Sequence, residues 1–132
     1  MARPRATELT DRELAVMQVF WRSEESTAES VRQQLDQQGE ELAYVTVANV
    51  VRGLLNKGFL KQTHHERPYR YQADRTFKDV SSKLVTDFVE RLFRGSRESM
   101  LVHVLRQRKL SESERALLRE VLKENSEVDD AS

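Results

Sequence analysis

The chain has 132 residues, 38% hydrophobic and 33% charged, with 22 basic side chains balanced by 22 acidic ones. That is room for one domain, or a small domain with an appendage, and so charged a chain makes a thin core that association with another copy would complete. It has no cysteine, which excludes disulfides and thiolate metal sites. No apolar run approaches the ~20 residues of a membrane span. The basic start, Met1 to Thr7, lacks the apolar stretch of a secretory signal, so a cytoplasmic protein is expected.

The first helix opens on a capping box, Thr10-Asp11-Arg12-Glu13, in which the Thr and Glu side chains satisfy each other's backbone N–H groups. Leu14, Met17, Phe20 and Trp21 follow at helical spacing and are expected in the core. A second box is read at Ser26-Thr27-Ala28-Glu29. It opens a short helix whose stripe is Ala28, Val31 and Leu35 and which Gly39 stops. The third helix is expected from about Tyr44 to Lys57. Val47, Val50, Val51, Leu54 and Leu55 form its buried side, and Gly58 closes it. Its other side, with Val45, Thr46, Ala48, Asn49, Arg52 and Asn56, is small, polar and free of acid.

The period then changes from helix to strand. Phe59 to Thr63 and Tyr69 to Ala73 read as a hairpin joined by His64 to Pro68. Alternation along Tyr69-Arg70-Tyr71 puts both tyrosines on one face and Arg70 on the other. From Thr76 the chain is helical again. Phe77, Val80, Leu84, Val85, Phe88, Val89, Leu92 and Phe93 form one broad apolar band, broken at Gly95. Met100, Leu101, Val104 and Leu105 mark a second helix. A third capping box, Ser111 to Glu114, opens a last one with Leu117, Leu118, Val121 and Leu122. The expected organisation is a winged-helix domain over 7–75, a three-helix domain over 76–124, and a frayed acidic tail over 125–132.

Net neutrality argues against a nucleic-acid partner, but the charge is segregated. Leu42 to Arg75 holds six basic and two acidic residues, so about +4, whereas Glu8 to Glu41 holds three basic and nine acidic, so about −6. Such blocks allow one face to attract a polyanion while others repel it. Helix, helix, helix, hairpin is the order of a winged helix-turn-helix, whose third helix enters the major groove. The fold class is therefore mostly α, with a small β-hairpin wing and a C-terminal helical dimerisation arm. The candidate DNA-binding residues are Tyr44, Val45, Thr46, Asn49 and Arg52 on the third helix, with Thr46, Asn49 and Arg52 three apart on one face. Lys61, His64, His65, Arg67 and Arg70 join them on the wing, where basic groups meet phosphate. Arg3 and Arg5 offer a basic arm.

The adjacent histidines lack a third ligand nearby, so no metal and no cofactor is expected. Three helices from so short a segment make a poor core alone, so pairing across a two-fold axis is favoured. The expected dimer interface is Phe77, Leu84, Phe88, Leu92, Phe93, Met100, Leu101, Val104, Leu105, Leu117, Leu118 and Val121. The competing readings are a winged helix that binds only protein, a small-molecule sensor with a pocket between wing and arm, and an enzyme. The last lacks any nucleophile–base arrangement or glycine-rich phosphate loop.

The run from Leu9 to Trp21, Ala43-Tyr44-Val45-Thr46-Val47, and Leu55 to Leu60 resembles the penicillinase and methicillin-resistance repressors, the BlaI/MecI family. So do Tyr69-Arg70-Tyr71, Leu92 to Ser96, and Leu110-Ser111 with Glu114 and Leu117-Leu118. The resemblance covers residues 7 to 124. It implies a homodimer that binds a dyad DNA operator and blocks promoter access, with Tyr44 to Asn56 as recognition helix. It puts Thr46 where the family favours a DNA-contacting Thr, and Asn49 where a second Thr is common. The family usually carries Arg at the position of Gly53; here Arg52 stands one place earlier, a turn of ~100°. Well-known relatives are released by a protease that cuts an Asn-Phe bond in the dimer helices. The matching stretch here, Val102-His103-Val104-Leu105-Arg106, has no such pair, so a release protease is assigned no bond. Copper-responsive relatives end in a cysteine cluster, which this chain lacks.

Overall fold

The computed structural model describes residues 9–131, with side chains described as far as residue 126; Arg3 and Arg5 lie outside the described residues. The elements run α1 (Asp11–Arg22), β1 (Ser26–Thr27), α2 (Ala28–Gln37), α3 (Tyr44–Lys57), β2 (Leu60–His64), β3 (Arg70–Ala73), α4 (Phe77–Leu92), α5 (Arg97–Gln107) and α6 (Glu112–Ala131). This is the expected mostly α architecture with a small antiparallel sheet.

At α1 the capping box is complete. The Glu13 N–H donates to Thr10 Oγ1 at 3.1 Å and the Thr10 N–H to Glu13 Oε1 at 2.9 Å. Glu13 also accepts from Lys57 Nζ at 2.8 and 2.9 Å, which ties the start of α1 to the end of α3. The second cap stands one residue later than expected. Thr27, not Ser26, caps α2 by accepting from the Ser30 N–H at 3.1 Å. Ser26 is instead buried in β1, opposite Tyr71. The sheet thus has three strands in the order β1-β3-β2, where the sequence suggested a two-stranded hairpin. β2 pairs with β3 with an irregularity between Gln62 and His64.

Chain contacts divide the protein into two units, the first ending at Asp87 and the second starting at Phe88. The sequence-based boundary at Thr76 precedes α4, whereas this division falls inside it. The reason is that Val80 is buried in the first core and Leu84 packs against that core. The first unit has a continuous apolar interior: Val16, Met17, Val19 and Phe20 from α1, Ala28, Val31 and Leu35 from α2, Val47, Val51 and Leu54 from α3, then Phe59 and Leu60. Leu14, Val50 and Leu55, expected on buried faces, are only partly covered. Trp21 is also half-buried. Its ring meets Phe77 edge-on at 5.2 Å and its indole N–H donates to the Arg75 carbonyl at 2.9 Å, which satisfies the polar end of a largely apolar group. α3 ends because Gly58 adopts φ 85°, and the Gly58 and Phe59 N–H groups return to the Leu55 and Leu54 carbonyls. That left-handed cap is open to glycine at no steric cost.

In the second unit α4 stops at Arg94 and Gly95, both at positive φ (51° and 83°). Ser96 then caps α5 by accepting from the Ser99 N–H. The expected box at Ser111 and Glu114 opens α6, with reciprocal bonds of 3.1 and 2.8 Å. α6 is helical to Ala131, beyond the point where the sequence suggested a frayed tail. Phe93 sits between Phe88 and His103, at 5.7 and 5.9 Å between ring centres. No residue of α5 is buried. Among the described residues no helix is long and apolar enough to cross a membrane, and no group of His, Cys, Asp and Glu could hold a metal ion.

Candidate nucleic-acid interface

α3 packs on α1 and α2 through Val47, Val51 and Leu54, each 1% exposed or less. This fixes what the helix shows outward. Its exposed stripe is Val45, Asn49, Arg52 and Asn56, at helical spacing. No acid stands in its first turn, and its first residue is preceded by Ala43, which offers no side-chain cap. The leading N–H groups of the helix are therefore not capped by Ala43.

The expected single face of Thr46, Asn49 and Arg52 is divided. Each step of three residues turns −60°, so Thr46 and Arg52 stand ~120° apart. Thr46 is half-buried and lines one surface recess with Asn49, Val50 and Gly53. The far wall of that recess carries Asp11, Arg12, Glu13, Glu40 and Glu41. Arg52 lines a different recess, with Tyr44, Ala48 and Leu55 from α3 and Gln62, His65, Arg67, Pro68, Tyr69 and Tyr71 from the wing. The acid-free side of α3 is thus flanked by acid on one edge and by aromatic and basic groups on the other.

On the wing side, the Arg67 guanidinium lies over the Tyr69 ring, 5.9 Å from its centre, close enough for a cation–π attraction. Burial pushes the Tyr71 phenol above its ordinary value, helped by the neighbouring Tyr44 and Tyr69 and opposed by Arg52. It stays a neutral donor. The carboxylate in this recess is Glu29, which is engaged by Arg32 at 2.7 and 2.8 Å. Arg52 and Arg67 make no ion pair among the described residues.

The other wing candidates lie apart from this recess. Arg70 points to the opposite face of β3 and meets Glu25 at 3.7 Å, while Thr63 donates to the same carboxylate at 2.8 Å. Lys61 is exposed on β2, in register with Gln72. His64 is exposed at the strand's end, and its carbonyl accepts from Gln62 at 3.0 Å. The fold thus brings Tyr44, Arg52, His65 and Arg67 together, and Thr46 with Asn49, but not Lys61, His64 or Arg70. Sequence reasoning missed Tyr69 and Tyr71 as lining residues. Their strand alternation was the available signal; their distance from α3 in sequence hid it.

The expected interface residues divide as well. Phe77, beside Trp21, and Leu84, against the main core, belong to the first unit. In the second unit Phe88, Leu92, Leu101, Val104, Leu105, Leu117 and Val121 are exposed, as are Val102 and Leu122. Phe93, Met100 and Leu118 are half-buried.

The sequence profile of the Penicillinase repressor family matches residues 9–124. The methicillin resistance regulatory protein MecI of Staphylococcus aureus (strain N315) is 21% identical over 115 residues, 87% of this chain and 93% of that protein. The transcriptional regulator BlaI of Mycobacterium tuberculosis is 33% identical over 99 residues, 74% of this chain and 71% of that one. Among solved structures, the DNA-binding domain of the repressor BlaI superposes with a TM-score of 0.50 at 22% identity, covering 58% of this chain and 93% of the domain. RosR of H. salinarum superposes with a TM-score of 0.53 at 14% identity, covering 93% of this chain and 98% of that one. At these identities the two superpositions speak to fold alone.

Proposed function

The chain belongs to the penicillinase repressor family, and from that premise we propose that it works in the cytoplasm as a homodimer on a palindromic operator. As a member of that family it is a DNA-binding transcriptional repressor and not an enzyme. The dimer and the dyad go further and rest on physical grounds. The observation that carries them is the contrast between an acid-free α3 beside a basic recess and a second unit whose large apolar side chains are exposed. Large apolar side chains left in water favour association, and a two-fold axis covers each copy's exposed groups with the same groups of the other.

In this reading α3 lies in the major groove, with the uncapped start of the helix toward a backbone phosphate. Tyr44, Val45, Thr46, Asn49 and Arg52 approach the DNA from the helix, and Lys61, His64, His65 and Arg67 from the wing, whereas Arg70, on the opposite face of β3, stays with Glu25. Phe88, Leu92, Phe93, Met100, Leu101, Val104, Leu105, Leu117, Leu118 and Val121 form the dimer interface. Two recognition helices about one helical turn apart, ~34 Å, read two half-sites. Blocking that site excludes other proteins from the promoter.

Gel retardation on the chain's own promoter region, across a salt series with excess nonspecific duplex, tests this. A single footprinted dyad that survives competitor is the expected result. Retention that vanishes with competitor would overturn the operator reading and leave a winged helix that works through protein contacts. Arg52→Glu is expected to abolish retention while the oligomeric state is unchanged.

A further inference from the structure

Resting on the reading that α3 enters the major groove, we propose that Arg52 is a phosphate contact, acting with Arg67 across the recess between helix and wing, and that Asn49 on the other flank reads a base. The two residues stand next to each other on the exposed stripe, yet they look onto opposite surroundings. Arg52 faces the wing, where Arg67 is held over Tyr69. The one carboxylate lining that recess, Glu29, has its charge taken up by Arg32. Two guanidinium groups without an ion-pair partner among the described residues therefore share one recess, and the Tyr71 hydroxyl adds a neutral donor. This suits a backbone phosphate, which accepts from several donors at once.

The Asn49 flank is the reverse. Asp11, Glu40 and Glu41 line its recess with one cation, Arg12, and none of the four makes an ion pair among the described residues, so acid is in excess there. A phosphate brought there meets a net excess of like charge, against which Arg12 alone offers attraction, and is disfavoured relative to the wing side. Base edges are tolerated differently. The amino groups of adenine and cytosine are donors in the major groove, compatible with carboxylates nearby, and an Asn amide can pair with adenine through two hydrogen bonds. Gly53, also on this flank, leaves open space, because a Cβ there would meet nothing nearer than Glu13 Oε2 at 4.0 Å. The charge asymmetry across α3 thus favours the wing side for a close phosphate contact.

Binding constants for full-length wild type, Arg52→Ala, Arg67→Ala and Asn49→Ala separate the roles, measured on the footprinted operator and on each single-base-pair variant of it from 50 to 200 mM salt. Arg52 and Asn49 are both exposed, and circular dichroism checks that each variant is folded. Arg52→Ala is expected to weaken every sequence alike, by roughly tenfold. The slope of log K against log salt becomes shallower by about 0.9, so the wild-type advantage shrinks about 3.5-fold across the series. Arg67→Ala gives the same signature. Asn49→Ala keeps the slope and loses at least about fivefold in discrimination at one base pair. Arg52→Ala with an unchanged slope and relaxed choice at a single base pair overturns the assignment and leaves the repressor reading intact. So does Asn49→Ala with a changed slope and intact discrimination. A wild-type chain that retains no duplex overturns both.

Discussion

The two units of this protein use similar helices to opposite ends. In the first, apolar side chains from α1, α2, α3, the strands and the start of α4 meet in one interior, and Phe20, Leu35, Leu54 and Phe59 are at most 1% exposed. In the second, α5 buries nothing, and Leu101, Val104, Leu117 and Val121 are all exposed. Amphipathic helices are present in both, so periodicity alone does not tell a finished core from an unfinished one. What differs is topology. Three helices closed by a sheet surround a volume, whereas a few helices in series leave one side of each open. The first unit therefore carries its stability within one chain, whereas the second, in the dimer proposed above, would acquire its own from a second copy.

A charge on the open face breaks this comparison most severely. Leu117 is 66% exposed in the single chain, so Leu117→Glu leaves the first unit untouched. In a dimer the change occurs in both copies and removes about 3–6 kcal/mol of association. Sedimentation should show a monomer, and operator affinity should fall with it. A Leu117→Glu dimer of unchanged strength would remove this face from the interface. Next in size is Phe20→Ala, which opens a cavity in the first core at about 3–5 kcal/mol. Its urea midpoint should drop by the same amount at every protein concentration, whereas melting of the second unit should depend on concentration. Trp21→Phe keeps the edge-on ring beside Phe77 but deletes the donor to the Arg75 carbonyl. It is expected to cost about 1 kcal/mol, confined to the first unit.

The same contrast explains how much was legible in the sequence. Helices read well because each carries its own punctuation: the Thr10–Glu13 box, Gly58 with its left-handed φ, and the Ser111–Glu114 box are local devices with local signatures. β1 was not legible. Two residues have no period, and Ser26-Thr27 before a helical stripe looks like a cap; only its pairing with Arg70 and Tyr71, far along the chain, makes it a strand. The boundary between units was displaced for a similar reason. Phe77, Val80 and Leu84 continue the band of Phe88 and Leu92 without a break, and nothing local says that Val80 turns toward the first core. At the candidate interface, residue types were readable and neighbourhoods were not. The acid-free face of α3 is a property of the helix itself, but the acids on one edge come from Asp11, Glu40 and Glu41, and the aromatic groups on the other from the wing.

The smallest effect is expected at the junction of α1 and α3, where it sharpens the view that the first unit is internally stabilised. Burial alone would raise the Glu13 carboxyl. The Lys57 ammonium and the Thr10 cap outweigh it and hold the group below the ordinary carboxylate value. A carboxyl lowered on folding adds stability that is fully present above its unfolded value and disappears as pH falls through the folded one. Glu13→Gln separates charge from cap, because Gln also satisfies the reach-back bond to Thr10. The variant should lose no more than about 1 kcal/mol at neutral pH, since Lys57 is 35% exposed on its side chain and solvent screens the pair. Its urea stability should also fall less steeply than wild type on acidification. Parallel acid limbs for the two proteins would mean that Glu13 acts only as a cap, and that the contact between α1 and α3 depends on Val16, Val47 and their apolar neighbours rather than on charge.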